Sequence, residues 1–176
     1  MVIIGIDPGS RITGYGLIQI KNNQHYFLDC GCIRTDIKAP LNFRLQQIYQ
    51  ALKIIIERYQ PEVAAIEQVF MHQNPNSALK LGQARGAAIV ALHMPIAEYS
   101  ARQVKQAIVG FGGASKEQMQ HMVARLLNIN NIKLQADAAD ALGLALCHAY
   151  RQNNILLLSK KTSKKTNSWR NYQPET

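Results

Sequence analysis

The run Val2-Ile-Ile-Gly-Ile6 is apolar throughout and stops abruptly at Asp7-Pro8-Gly9. A short apolar run closed by a turn signal reads as a buried strand. Gly14–Ile20 reads as a second strand, Lys21-Asn-Asn-Gln24 as the turn after it, and Tyr26–Ile33 as a third, so the chain opens as an antiparallel meander. From there the period changes. Leu45, Ile48, Leu52, Ile55 and Ile56 recur at threes and fours, which predicts a helix over Leu41–Tyr59 ahead of Pro61. Val63–Ile66 is a short buried strand ending at Glu67, Ser77–His93 a helix, Pro95–Tyr99 a fifth strand and Ala101–Val109 a short helix. The loop Gly110-Phe-Gly-Gly-Ala114 leads to Ser115-Lys-Glu-Gln118, a capping-box pattern in front of a helix over Met119–Asn128, and Ala136–Tyr150 is the last core helix. Three antiparallel strands followed by alternating helix and strand give an α/β fold, a five-stranded mixed β-sheet flanked by α-helices.

The 176 residues suit one domain with a proper core. Residues 1–151 are expected to form it. Residues 152–176 are polar and lysine-rich, and are expected to be a disordered basic tail. Residues 151–176 carry net +5 of the chain's +9, a surplus that suits a polyanionic partner such as nucleic acid. The three cysteines, Cys30, Cys32 and Cys147, form no disulfide framework, and Cys30-x-Cys32 lacks a second ligand pair for zinc. No apolar stretch approaches the ~18 residues of a membrane span, and Asp7 interrupts what would have to be a signal peptide. A cytoplasmic protein with no membrane contact is expected.

Four acids stand out by position. Asp7 ends the first strand and Glu67 the fourth; if these strands are parallel neighbours, both carboxylates emerge at the carboxyl edge of the sheet, where open α/β sheets place ligands. Asp137 and Asp140 stand three apart at a helix start, on one face, and alanines at 136, 138, 139 and 141 let that face approach another backbone closely. Taken singly, each acid has a structural explanation as a turn residue, a helix-dipole partner or a solvated strand end. Together, four converging carboxylates repel one another unless cations are bound, and oxygen-only ligands select Mg²⁺ or Mn²⁺. Two such ions about 4 Å apart are the usual apparatus for cutting phosphodiesters.

Five blocks in order, Ile6–Gly16, Ile66-Glu-Gln-Val-Phe70, Ser77–Gly86, Val104–Gly110 and Ala136–Leu142, closely resemble the RuvC family of crossover-junction resolvases over about residues 2–150. The resemblance implies an RNase H-like fold and a homodimer that nicks four-way (Holliday) DNA junctions in recombination and repair. It places Asp7, Glu67, Asp137 and Asp140 as catalytic metal ligands for Mg²⁺, two ions per subunit, with Mn²⁺ as a substitute. It makes Phe70 a base-stacking residue, with a core phenylalanine as the alternative, and sets Lys105 and Lys116 beside the scissile phosphate. His72 and Gln73 are uncharged where some relatives carry a basic residue. RuvA and RuvB are the implied protein partners. Actin-like ATPases share the opening hairpin but need two such domains; YqgF-like RNA-processing nucleases and a catalytically silent junction-binding module are the other classes to separate.

One helix poses a packing question. Gly86–Leu92 is apolar at every position, so Ser77–His93 has no wet face there. Ala84, Ala87, Ala88 and Ala91 would let a second copy of the helix approach, giving a two-fold dimer. The alternative is a helix buried within the monomer between the sheet and Ala136–Tyr150.

Overall fold

The computed structural model describes residues 1–68, 75–129 and 134–163. The order is β1 (Val2–Asp7), β2 (Ile12–Lys21), β3 (Gln24–Arg34), α1 (Leu41–Tyr59), β4 (Val63–Glu67), α2 (Pro75–Ala91), β5 (Ile96–Tyr99), α3 (Ala101–Val109), α4 (Lys116–Leu126) and α5 (Ala136–Ser163). The five strands form one sheet in the order β3-β2-β1-β4-β5. β1, β2 and β3 pair antiparallel, whereas β4 runs parallel to both β1 and β5. The β2–β3 hairpin turns on Asn22 and Asn23, both at positive φ (52° and 63°), as tight hairpin turns require.

Period-two alternation assigns the faces. Ile3, Val63 and Ala65 pack with Val104, Met119, Val123, Leu142 and Leu146 under α3, α4 and α5. Ile4, Ile6, Ala64 and Ile66 pack on the opposite face with Ile48 and Leu52 of α1 and Ala84, Ala88 and Ala91 of α2. Each central strand is therefore buried on both sides, which is why its sequence reads as a continuous apolar run.

Where α5 crosses β1 and β2, the sheet presents glycines. Gly5 pairs with Gly16, and Gly14 pairs with Asp7. A Cβ on Gly5 would stand 1.9 Å from the Ala141 carbonyl oxygen, one on Gly14 2.0 Å from that of Asp137, and one on Gly16 2.6 Å from the Leu142 side chain. Helix α5 rests directly on strand backbone. Ala138, Ala139, Ala141 and Ala145 supply the small residues on its side and are all buried. The close approach expected from the alanines is present, and glycines of β1 and β2 are what they approach.

Two expectations are corrected here. First, Ala84, Ala88 and Ala91 are fully buried within the single chain, so they are not available as a dimer surface. The helix that covers them is α1, on the face opposite α5. Ala87 is half-buried. The open strip of α2 lies elsewhere: Leu79 and Val90 are 63% and 65% exposed, and a Cβ at Gly82 or Gly86 would meet nothing within 4 Å. An apolar run in a helix does not imply burial all round. Second, α5 does not end at Tyr150. Its backbone remains helical to Ser163, with no Gly or Pro from Leu144 to Ser163 to stop it.

Gly5→Ala is expected to destabilise the protein by at least ~1–3 kcal/mol, the cost of overpacking a close-packed core. Urea unfolding measures this; a variant as stable as wild type would show that α5 can lift off β1 without cost.

Candidate active site

Asp7 and Glu67 reach the same place through strand geometry. Positions 3, 5 and 7 of β1 and 63, 65 and 67 of β4 point to the α5 face, and the parallel register Ile6↔Ile66 sets the two acids side by side at the strand ends. Because Gly14 lies beside Asp7 and beneath Asp137, the first turns of α5 stand over the end of β1. Arg34 holds the approach to α5 by donating to Gln135 Oε1 at 2.6 Å.

The turn after β1 is fastened on several sides. Thr13, fully buried, donates from Oγ1 to the Gly9 carbonyl at 2.9 Å and accepts from the Gly9 N–H at 3.3 Å. Thr35 Oγ1 donates to the Ser10 carbonyl at 2.9 Å, and the Arg44 guanidinium bonds both Ser10 and Thr35. Asp7 is thus carried on a strand end whose following loop has little freedom.

Asp7, Glu67, Asp140, Lys105 and Lys116 line one cleft of about 340 Å³. Its electrostatics are those of crowded carboxylates. Burial raises the Asp7 pKa from the ordinary 3.8 to about 8, reinforced by the charge of Glu67, a hydrogen bond to Glu67, and the charges of Asp140 and Asp137. A carboxyl raised that far favours its protonated form at neutral pH when no cation offsets its neighbours. Asp140 is also raised, chiefly by burial; Lys116 and Lys105 oppose that shift, and Glu67 and Asp137 add to it. Among the described residues, no three acidic, histidine or cysteine side chains are already gathered round a single ion position. The donor set nevertheless suits a hard divalent cation: oxygens only, mutually repelling, and one of them protonated at neutral pH for want of a counter-charge.

The four acids and both lysines predicted from sequence therefore belong to one neighbourhood. Phe70, with His72 and Gln73, lies outside the described residues. A larger cavity, about 640 Å³, is lined by Ser100, Arg102, Tyr150 and Arg151 among others. Among the described residues its lining holds no carboxylate, whereas that of the smaller cleft holds Asp7, Glu67 and Asp140.

Sequence reading missed one residue, Arg85. From α2, its Nε donates to the Glu67 carbonyl at 3.2 Å, and its guanidinium meets Glu98 of β5 at 2.8 Å as an ion pair rather than a well-aligned hydrogen bond. It positions the end of β4. The available signal was a charged side chain set among Ala84, Gly86, Ala87 and Ala88 on a helix that is otherwise apolar there.

The raised pKa of Asp7 makes stability depend on pH. A carboxyl whose pKa rises on folding contributes fully below its unfolded value and progressively less as pH climbs toward its folded value. Without divalent ions, the protein is expected to lose stability from about pH 4 to about pH 8. Asp7→Asn should show a flatter profile and exceed wild type at pH 8. Thermal unfolding in chelator across that range tests it; parallel profiles would contradict the crowding of Asp7.

Residues 3–148 match the family model for crossover junction endodeoxyribonuclease RuvC. The protein of that name from Marinobacter nauticus is 56% identical over 176 residues, covering 98% of this chain and 99% of its own length. That from Legionella pneumophila is 52% identical over 157 residues, covering 88% of this chain and 90% of its own. Among solved structures, Thermus thermophilus RuvC in complex with a Holliday junction substrate superposes with a TM-score of 0.81 at 33% identity, covering 88% of this chain and 96% of that one. The yeast mitochondrial Holliday junction resolvase shares the fold at a TM-score of 0.67 and 14% identity, covering 92% of this chain and 83% of that one. By sequence and by fold, this chain belongs to the RuvC family of crossover junction endodeoxyribonucleases.

Proposed function

We propose that this chain resolves Holliday junctions by divalent-metal-dependent hydrolysis of DNA phosphodiesters in the cleft between β1, β4 and α5. The observation that carries this reading is the crowding of Asp7 by three further carboxylates, with two lysines lining the same cleft. Asp7, Glu67, Asp137 and Asp140 would hold the metal. We assign Mg²⁺, two ions per subunit, with Mn²⁺ as a substitute; four carboxylates supply more oxygens than one ion held largely by water would use. When bound, the ions lend Lewis acidity to the phosphodiester and acidity to the attacking water.

The protein's own residues do the rest. Lys105, from the middle of α3, and Lys116, from the first position of α4, line the same cleft as the acids. They attract the DNA backbone and offset the charge that builds on the pentacovalent phosphate. Arg85 fixes the strand end that bears Glu67. Phe70, three residues beyond Glu67, would stack on an unpaired base beside the scissile phosphate.

Paired nicks need two sites, and a homodimer supplies them. Its contact would be the open strip Leu79, Gly82, Gly86 and Val90 of α2, where exposed apolar side chains flank bare backbone. Family membership also proposes RuvA and RuvB as partners and the cytoplasm as location. No helix among the described residues is long and apolar enough to cross a membrane. Lys164, Lys165 and Arg170, near the end of the basic tail, would add non-specific attraction to phosphate.

Asp7→Asn is expected to slow nicking of a synthetic four-way junction in Mg²⁺ by more than about a hundredfold, the scale for losing one group that stabilises the transition state. Junction binding should persist. Near wild-type cutting by this variant would refute the metal-site reading. Val90→Glu should yield a folded monomer, because the position is open, whereas Ala88→Glu should unfold the chain by burying a charge. Sedimentation beside thermal unfolding separates the two; a Val90→Glu dimer would place the contact elsewhere.

A further inference from the structure

The loop between Gly110 and Ala114 has no part in the reading above, although it joins the two helices whose lysines line the cleft. Phe111 at its centre is 64% exposed. One exposed apolar side chain is unremarkable in itself, but this loop is built to hold the ring in place. Gly110 closes α3 in the left-handed region, at φ 82°, with its N–H on the Gln106 carbonyl and its own carbonyl accepting from Gln106 Nε2 at 2.7 Å. Ala114, 1% exposed, anchors the other end and donates its N–H to the Phe111 carbonyl at 3.2 Å. A Cβ on Gly113 would stand 2.7 Å from the tip of the Phe111 ring, and one on Gly112 2.8 Å from Cγ of Arg102. The ring lies on bare backbone, and the arginine stem packs beside it.

The surroundings are cationic. Residues 101–118 contain Arg102, Lys105 and Lys116 against a single acid, Glu117. Glu117 is engaged by the Ser115 hydroxyl at 2.7 Å. Among the described residues, none of the three cations forms an ion pair. Five residues separate Phe111 from Lys116, at most about 18 Å of extended chain. A strand lying over the cleft advances about 3.4 Å per nucleotide, so it would pass Phe111 within about five nucleotides of the phosphate being cut.

We infer that Phe111 is a second aromatic contact to the DNA: its ring packs on a base near the crossover while Arg102 takes a neighbouring phosphate. This rests on the junction-cutting reading of the cleft. An exposed ring on a stiff loop loses little freedom on binding, and a base offers the flat apolar partner it lacks. An apolar protein partner would leave Arg102, which has no ion-pair partner among the described residues, without a counter-charge.

The test uses the full chain and a synthetic four-way junction without divalent ions. Phe111→Ala should raise Kd roughly 5- to 150-fold, the range for removing one aromatic–base stack. Phe111→Tyr should stay near wild type, and both should keep the wild-type melting temperature. With Trp169→Phe as background, Phe111→Trp should be quenched by the junction over the concentration range of binding. Wild-type affinity in Phe111→Ala, absence of quenching, or unfolding of Phe111→Ala would each overturn the inference. Wild-type protein that fails to nick the junction in Mg²⁺ would instead sink the functional reading, so the two failures are distinguishable.

Discussion

Helix α5 meets the sheet with backbone on one side and small residues on the other. Gly5, Gly14 and Gly16 strip the α5 face of β1 and β2 of side chains just where Asp137, Ala141 and Leu142 come down upon it. The rest of the site depends on that contact. A helix packed over ordinary side chains would stand farther from the sheet, and its carboxylates would be held away from those of the strands. The glycines cost strand stability, since each gives up a packing side chain and adds chain entropy to the unfolded state. Burial of Ile3, Ile18, Leu142 and Leu146 around the contact offsets that cost.

The same closeness creates the electrostatic problem that the chemistry exploits. Asp7 stands half-buried beside Glu67 and near Asp137 and Asp140, and desolvation together with their repulsion holds its carboxyl well above the ordinary carboxylate range. Lys105 and Lys116 relieve only part of it, as their opposing effect on Asp140 shows. Both lysines stand on helices with reciprocal Ser–Gln caps, Ser100 with Gln103 and Ser115 with Gln118. The cleft therefore combines clustered negative charge with two lysines, a mixture that attracts both a cation and a phosphate.

How much of this the sequence discloses varies by element. Strand alternation and the helical period expose the sheet and four of the five helices closely, because burial on both faces leaves an unbroken apolar run at Val2–Ile6. The pairing of Asp7 with Glu67 follows from two parallel strands ending in acids. The i, i+3 spacing puts Asp137 and Asp140 on one face, and the alanines around them announce a close neighbour. What that neighbour is does not show, since Gly5, Gly14 and Gly16 in a strand have no signature that separates a helix contact from a weak or bulged strand. In α2, glycine and alanine alike read as a close-packing surface; only the fold reveals that Ala84, Ala88 and Ala91 face α1 and the sheet while Gly82 and Gly86 face outward. Arg85 stands out in the sequence only as a lone charge among small residues; its role does not show, because one partner is the Glu67 backbone carbonyl and the other, Glu98, lies on a different strand. The end of α5 does not show because the polar composition after Tyr150 resembles a tail, and the stretch carries no Gly or Pro to mark where the helix stops.

The central claim is that a helix set down on glycines completes a four-carboxylate site for divalent cations. Anomalous diffraction from crystals soaked in Mn²⁺ tests it most directly. The account predicts manganese peaks in the cleft, within coordination distance of Asp7, Glu67 and at least one of Asp137 and Asp140. An empty cleft in crystals that bind Mn²⁺ elsewhere, or ions held by Asp7 and Glu67 alone with α5 taking no part, would contradict it.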